Sequence, residues 1–338
     1  MRTVIWAFLL VGASLLLLTG CSKEETGPVI PSLTDRLFSF AIADNDGPDK
    51  NGAILLTLDF GGTSDATHIV PNQGTPTLDG VDEGAPWGTA STVNLIPYNN
   101  GGGPSTATLK SAYDDTYLYI LVKWTDPTNS ESINKKMWTY DSTLGTWSQS
   151  GDEDRVYFFW NINAIDFPSG GCFVLCHGDG MRTNQPNQTV DEWHWKAARG
   201  NPVGYADDKY VDNTLDTLDV EAGHHGDAGS STYSDNKASD RPASMANSGE
   251  PGANATFLYQ AGTLFDPFNV ISTLADTSVA FDSTLAWQNG SKIAGYILKN
   301  PTASRANVET AGKYSGGVWT VEFRRLLNTG NTDDALFD

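Results

Sequence analysis

Runs of alternating apolar and polar residues are the feature that most constrains the fold of this chain. The segment TATLKSAYDDTYLYILVKW (106–124) holds two such runs around the turn YDDTY, and the second places Leu118, Ile120 and Val122 on one face. Because successive side chains of a strand point to opposite faces, the pattern predicts a β-hairpin with one buried face. Further strands are predicted at LFSFAI (37–42), AILLTLDF (53–60), DRVYFFWNIN (154–163), KIAGYIL (292–298) and GGVWTVEFRRLL (316–327).

Only one short segment favours a helix. DEWHWKAARG (191–200) could begin at Asp191 as N-cap and end at Gly200. The rest combines short strands with turns rich in Gly, Asn, Asp and Ser. The sequence therefore predicts an all-β protein, a β-sandwich with long loops and one or two short helices.

The first 20 residues have the composition of a secretory signal peptide. Arg2 precedes an apolar run from Val4 to Leu18, and LLTGC resembles a bacterial lipobox, in which Cys21 carries lipid. The alternative is an ordinary signal peptide that leaves Cys21 free. We expect an exported lipoprotein of the outer membrane, on its periplasmic face or at the cell surface, attached to the membrane through its lipid only.

Composition divides the remaining chain. Residues 21–36 are predicted to form an acidic linker, 37–76 hold N-terminal strands, and 77–338 form the main domain. A polar insertion at about 201–254 predicts a long loop, on which the histidine pair His224 and His225 is expected to face solvent.

The overall charge restricts the partners. A formal net charge of −20 at pH 7 argues against nucleic acid, whose phosphates are bound by clusters of Lys and Arg. The sequence also contains no G-x-S-x-G, H-E-x-x-H or phosphate-loop motif. We therefore expect a protein that is not itself an enzyme.

An acidic segment separates the first two predicted strands. ADNDGPDKNG places Asp44, Asp46 and Asp49 at the near-alternating spacing of calcium-binding loops. It lacks the glutamate that closes an EF-hand loop, and Gly-Asp-Asn segments are also frequent turns. The segment predicts a turn, with a calcium site as the alternative.

Two of the three cysteines lie together in GCFVLCHGDGM (171–181). Three interpretations are open for Cys172, Cys176 and His177. The motif is a spaced variant of the C-x-x-C-H haem attachment site, or its cysteines form a disulfide, which export would favour, or they bind zinc. The residues WHWK that follow favour haem, because Trp193 and Trp195 suit a large flat apolar ligand.

Several segments resemble the haem-binding domain of the ethylbenzene dehydrogenase gamma subunit and its relatives in the dimethyl sulfoxide reductase group. They are TLDGVDEGAPW, LKSAYDDTYLYILVKWTDPT, DEDRVYFFWNI, GCFVLCHGDGM with DEWHWKAARGNP, NGSKIAGYILKNPTASRANV and AGKYSGGVWTVEFRRLLNTGNTDD, from Leu78 to the C-terminus. The early segments also resemble DOMON and carbohydrate-binding sandwiches. Both resemblances imply a β-sandwich.

The resemblance implies one haem held between a methionine and a lysine, with electrons supplied by iron–sulfur clusters of a partner subunit. The matching methionine is Met181, and the lysine is Lys313, with Lys292 and Lys299 as alternatives. The added Cys-x-x-x-Cys-His resembles the branch in which haem is attached covalently, as in c-type cytochromes.

In that branch His177 is the expected proximal iron ligand. A residue four positions away on a helix or turn lies on the same side, so Met181 could not easily reach the opposite face of the iron. Lys313 and His194 are therefore candidates for the second axial ligand. Met181 is the alternative, and in that case His177 only neighbours the haem. Haem b held only by ligands is the alternative cofactor.

These observations predict an electron-transfer protein of the cell envelope with one c-type haem. Its expected partner is a redox protein of the respiratory chain or a molybdenum oxidoreductase, of which it could be a subunit. The alternative function is a surface lipoprotein that binds a ligand such as a carbohydrate and has a Cys172–Cys176 disulfide.

Overall fold

The computed structural model describes residues 36–43, 51–62, 65, 67–95, 106–126, 136–177, 180–214, 223–246 and 278–338. The predicted signal peptide, Cys21, and the loop with Asp44, Asp46 and Asp49 lie outside these residues and stay predictions. Residues 33–338 form one compact unit. In the described part of the chain, no helix has the length and apolar character needed to cross a bilayer.

Short strands are the main secondary structure of the described chain. The first ten are β1 (Arg36–Ala43), β2 (Asn51–Leu58), β3 (His68–Ile69), β4 (Asn72–Gln73), β5 (Val93–Leu95), β6 (Ala107–Tyr113), β7 (Tyr117–Thr125), β8 (Met137–Asp141), β9 (Thr146–Ser150) and β10 (Arg155–Asn161). The next are β11 (Cys176–His177), β12 (Gly180–Met181), β13 (Val190–Lys196), β14 (Asp207–Val211), β15 (His224–Gly226) and β16 (Tyr233–Asp235). The last are β17 (Ser244–Ala246), β18 (Ser278–Ala280), β19 (Lys292–Ile293), β20 (Tyr296–Leu298), β21 (Glu309–Ser315) and β22 (Val318–Leu326).

Helices are few among these residues. The single α-helix is α1 (Phe167–Gly170), and 3-10 helices occur at Gly171–Leu175, Asn201–Val203 and Ala303–Ala306. The expected all-β fold with one or two short helices is confirmed.

Two large sheets form the sandwich. One has the order β15-β14-β13-β10-β1-β2-β3, and the other has the order β21-β22-β7-β6-β4 with β5 paired to β6. All pairings are antiparallel except β2 with β3 and β4 with β6. The N-terminal strands β1 and β2 therefore belong to the same sheet as β10 and β13.

The core lies between the two sheets. Side chains at alternate positions fill it, including Phe38, Phe40 and Ile42 of β1; Val156, Phe158 and Trp160 of β10; Trp193 and Trp195 of β13; Leu118, Ile120, Val122 and Trp124 of β7; and Trp319, Val321 and Phe323 of β22. The predicted hairpin is confirmed as β6 and β7, with seven residues of each strand in register.

The predicted helix at 191–200 is wrong. Its first half is β13, which lies between β10 and β14 in the middle of the seven-stranded sheet. The seven residues of β13 are buried on both faces, so the polar residues among the tryptophans do not mark a solvent-exposed helix face. Tertiary pairing has overridden the local helix signals.

The polar stretch after Asn201 is also more ordered than a long loop. β14 and β15 extend the large sheet, and β16 and β17 pair with β20 and β18. Only residues 215–222 and 247–277 of this region lie outside the described residues. The segment KIAGYIL, predicted as one strand, forms the two short strands β19 and β20, which pair with different partners.

Candidate functional site

A cavity of about 590 Å³ lies on the face of the seven-stranded sheet that points away from the sandwich core. Strand alternation decides which residues form its floor. In β13, Trp193 and Trp195 face the core, so the intervening Glu192 and His194 face the cavity. The same alternation on the neighbouring strands adds Arg155, Tyr157 and Phe159 of β10, Lys196 of β13, Lys209 of β14 and His224 of β15. Its volume falls in the range of ligand and cofactor pockets.

The cysteine segment forms one wall. The 3-10 helix Gly171–Leu175 and the β11–β12 hairpin place Cys172, Phe173, Cys176 and Met181 against the cavity. Cys176 and Met181 are paired directly across the hairpin, so the two sulfur side chains share one face. This wall brings sulfur and aromatic groups together opposite the charged strands of the floor.

Both thiols in this wall are free, so the disulfide that accompanied the alternative function is not formed. Cys176 Sγ lies 3.6 Å from the carbonyl oxygen of Cys172, and Ser39 Oγ lies 3.4 Å from Cys172 Sγ. Burial raises the pKa of the Cys172 thiol to about 11 and also raises the pKa of Cys176. The raised pKa values disfavour the thiolate form of both cysteines.

His194 is the unusual residue of the floor. It is 8% exposed, and among the described residues neither ring nitrogen has a hydrogen-bond partner. Its Nδ1 lies 3.4 Å from Glu192 Oε1, without hydrogen-bond geometry. Burial lowers the pKa of His194 well below its usual value, and Lys196 and Lys209 lower it further. A neutral imidazole binds a metal through the lone pair of its unprotonated ring nitrogen.

Basic side chains line the cavity, although the protein as a whole is acidic. Five basic side chains line it: Lys136, Arg155, Lys196, Arg199 and Lys209. Burial lowers the pKa of Lys196, and the Asp207 carboxylate, 2.5 Å from its Nζ, acts in the opposite direction. The guanidinium of Arg199 lies over the ring of Tyr233 and bonds to Glu153 at 2.5 Å. Such a lining suits a ligand that carries carboxylates.

Glu192 and His224 form a charged contact across the floor. His224 Nε2 lies 2.5 Å from Glu192 Oε2 and 3.0 Å from Lys209 Nζ. Burial alone would raise the pKa of Glu192, but His224, Lys209 and Lys196 hold it below its usual range. The expectation that His224 faces solvent is wrong, because β15 pairs with β14 and turns His224 to the cavity, where its side chain is 9% exposed.

The predicted site residues divide into two groups. The structure brings Cys172, Cys176, Met181 and His194 to the cavity. His177 is not among the lining residues, and its Nε2 lies 3.2 Å from the carbonyl oxygen of Arg182.

The remaining predicted residues lie elsewhere. Trp193 and Trp195 are fully buried between the two sheets, where Trp195 packs edge-to-face on Trp124 at 5.9 Å. They therefore do not stack on a ligand in this cavity. Lys313 lies on β21, in the other sheet, beside Gly80. Lys292 and Lys299 do not line the cavity either.

Sequence reasoning missed most of the charged lining, namely Arg155, Glu192, Lys196, Arg199, Lys209 and His224. A signal for part of it was present. Read at period two, the residues EWHWK place Glu192, His194 and Lys196 on the face opposite the tryptophans. Lys209 and His224 carry no such local signal, since only the pairing of β13, β14 and β15 brings them there.

The donor set fits a haem with carboxylate groups. The wall supplies the two thiols of the Cys-x-x-x-Cys-His motif and a thioether, and the floor supplies several basic side chains and an imidazole that has no hydrogen-bond partner in the described part of the chain. The fold and site thus define a β-sandwich with a cofactor-sized cavity on its outer face.

The chain belongs to the ethylbenzene dehydrogenase family, whose model matches residues 69–338. It is also similar to endo-1,4-beta-xylanase A of Thermoanaerobacterium saccharolyticum, with 29% identity over 146 residues. That alignment covers 38% of this chain and 12% of the xylanase, so the chain spans only a small part of that relative's length.

Proposed function

We propose that this protein binds one haem in the outer cavity and transfers electrons. The observation that carries the proposal is His194, a buried imidazole with no hydrogen-bond partner among the described residues, in a cavity that both cysteines of the Cys-x-x-x-Cys-His motif also line. Membership of an oxidoreductase family supports it. A bound haem supplies reversible one-electron chemistry.

Different residues of the site would attach the haem, bind its iron and bind its propionates. Cys172 and Cys176 would provide the thiols for covalent attachment, and Met181 and His194 are the candidate iron ligands among the side chains that line the cavity. Arg155 and Arg199 would bind the propionates by charge-assisted hydrogen bonds. His177 remains the ligand that the motif predicts, and its ring would have to leave the Arg182 carbonyl oxygen to serve.

The sulfur and aromatic wall would keep water from the iron. Cys172 is 8% exposed, whereas Phe173 is 56% exposed at the rim of the cavity. Electrons would enter and leave through this rim. We propose a redox protein as the partner, either a respiratory protein or an oxidoreductase of which this chain is a subunit. No bond chemistry on a substrate is assigned to the cavity.

A haem stain on a denaturing gel tests the proposal. The complete chain is expressed with a c-type haem maturation system, beside Cys172→Ser/Cys176→Ser. We expect a stained band that the double variant loses. Cys21→Ser, which changes the third cysteine, is the matched control and should keep the stain.

Each other result has a definite meaning. A protein that is red when native but unstained after denaturation would point to haem b, held only by ligands. A colourless protein in every form would refute haem binding. In that case carbohydrate binding, the second candidate, would become the proposal.

The similarity to a xylanase favours that second candidate. A separate cavity of about 330 Å³ is lined by aromatic side chains, among them Tyr140, Trp147, Phe281 and Trp287. Trp147 meets Trp287 edge-to-face at 5.0 Å. Aromatic faces stack on sugar rings. Retention on insoluble xylan, lost in Trp287→Ala, would support this function.

We further propose that Cys21 anchors the protein to a membrane of the cell envelope by its lipid. Cys21→Ser should then move the protein from the membrane fraction to the soluble envelope fraction. Unchanged fractionation of Cys21→Ser would exclude lipid at this residue.

A further inference from the structure

Five carboxylates gather on the side of the large sheet opposite the haem candidate cavity. Asp191 and Asp208 lie on β13 and β14, Asp227 follows β15, and Asp333 and Asp334 lie in the C-terminal segment. Ligand oxygens of Asp191, Asp208 and Asp334 all lie within 4.8 Å of one another. The same is true of Asp227, Asp333 and Asp334.

One cationic side chain contacts the group formed by Asp191, Asp208 and Asp334. The Arg325 guanidinium, fully buried, donates to Asp191 Oδ2 and to the carbonyl oxygen of Ala335. It lies 3.9 Å from Asp334 Oδ1. The Ala335 amide also donates to Asp191 Oδ2, at 2.9 Å. Asp191 Oδ2 is therefore satisfied, and one positive charge faces three carboxylates.

Asp334 Oδ2 accepts hydrogen bonds from Asn307 Nδ2 at 3.2 Å and Asn331 Nδ2 at 3.1 Å, whereas the other four oxygens of this group have no hydrogen-bond partner among the described residues. Asp208 is fully buried, and neither of its carboxylate oxygens has a hydrogen-bond partner in the described part of the chain. The same holds for Asp191 Oδ1 and Asp334 Oδ1. A buried, unpartnered carboxylate is strongly unfavourable, so such groups either hold protons or hold a cation.

We propose that a calcium ion binds between Asp191, Asp208 and Asp334. Three carboxylates and one guanidinium leave two negative charges, which a divalent cation neutralises. The donors are oxygens without sulfur or imidazole, the set that selects hard cations. Calcium accepts such donors in irregular geometry, with water in the remaining positions, whereas magnesium requires a near-ideal octahedron.

Such an ion would attach the end of the chain to the sheet. Phe337, fully buried, packs edge-to-face on Trp160 at 5.0 Å and on Trp193 at 6.2 Å. Asp334 precedes it by three residues. Calcium bound to Asp334, Asp191 and Asp208 would therefore stabilise the C-terminal segment over the core. The inference does not depend on haem binding.

The test uses the complete chain, treated with EDTA and dialysed into chelator-free buffer. Calcium binding is measured by calorimetric titration, and thermal unfolding is followed with calcium and with EDTA. The wild type should bind calcium and unfold at a higher temperature with it. Asp208→Asn should bind calcium at least tenfold more weakly at this site. In EDTA it should unfold no lower than the wild type, because a buried amide needs neither a proton nor a cation to be neutral.

Two control variants complete the design. Asp115→Asn removes an exposed carboxylate and should behave as the wild type. Asp46→Asn changes the N-terminal acidic loop and should also keep the effect.

Several results would overturn the proposal. One is a wild-type unfolding temperature indifferent to calcium and EDTA, a result that needs no variant. Another is a calcium effect that survives in Asp208→Asn and disappears in Asp46→Asn. Tighter binding of magnesium than of calcium would overturn the choice of ion.

Discussion

His194 is a buried histidine whose two ring nitrogens have no hydrogen-bond partner among the described residues. Buried polar groups normally have partners, and an exception is unfavourable unless a ligand uses it. Tyr157 packs against the His194 ring at 4.1 Å between centroids and fixes its position. The ring is therefore positioned by packing rather than by hydrogen bonds within the described residues.

We expect His194→Ala to alter the bound haem. Loss of an iron ligand changes the spin state and the reduction potential, so the absorption and EPR spectra of the haem-loaded protein should change. His225→Ala is the matched control, because His225 lies on β15 beside Tyr210 and does not line the cavity. Identical spectra for the wild type and His194→Ala would exclude His194 as a ligand.

A second single-residue prediction concerns Met181. Thioether ligation raises the reduction potential of haem relative to bis-imidazole ligation. If Met181 binds iron, Met181→His should lower the midpoint potential while the covalent haem stain persists. An unchanged potential would assign the second axial position to another side chain.

β13 is the element that joins the core to the site. Its tryptophans fill the space between the sheets, and its polar residues form the floor of the cavity. Because the side-chain period of a strand is two, a register shift by one residue would exchange the two faces. Direct pairing of Val156 with Trp195 and of Tyr157 with His194 fixes the register.

The two faces of β13 should therefore respond differently to substitution. Trp193→Ala should lower the free energy of unfolding by about 3–5 kcal/mol, because it leaves a cavity in the core. Leu144→Ala, at a side chain that is 71% exposed, should have almost no effect. Denaturant unfolding measures both. Equal stability of Trp193→Ala and the wild type would mean that the core packs differently from the structure.

Charge is distributed unevenly over the whole molecule. The chain has a net charge of −20, yet one cavity on it is lined by five basic side chains. On the other face of the same sheet, burial raises the pKa of Asp208, and neighbouring Asp191, Asp334 and Asp227 raise it further. Burial also raises the pKa of Asp191 and Asp227.

This cluster predicts an unusual pH dependence. Between about pH 5 and pH 8 the folded protein keeps protons on these carboxyls that the unfolded chain releases. With divalent cations removed, stability should therefore fall as pH rises, by about 1.4 kcal/mol per pH unit for each retained proton. Asp207 and Glu192 have lowered pKa values, so their contribution is lost only at more acidic pH.

Thermal unfolding in EDTA at several pH values checks this prediction. The groups that face the cluster are Asp191, Asp208, Asp227, Asp333, Asp334, Arg305 and Arg325. Asp208→Asn should have a flatter profile, whereas the exposed Asp115→Asn should follow the wild type. Stability that rises through this range in the wild type would contradict the prediction.

The sequence by itself determined the strands and their buried faces. The alternation of apolar and polar residues in 106–124 and 316–327 identified β6, β7 and β22, because a strand with one buried face has an apolar residue at every second position. A local motif and its neighbourhood also predicted Cys172, Cys176 and His194 as site residues, and the family resemblance added Met181. These features are local, so a single chain segment contains the information for each.

Only the tertiary structure determined which strands pair and which side chains become neighbours. It made 190–196 a central strand, turned Trp193 into the core and brought Lys209 and His224 to the cavity. It also joined Asp191 and Asp208 to Asp334, more than 100 residues later in the chain. Strand pairing between distant segments sets these contacts, and no local pattern of residues encodes which strands become neighbours.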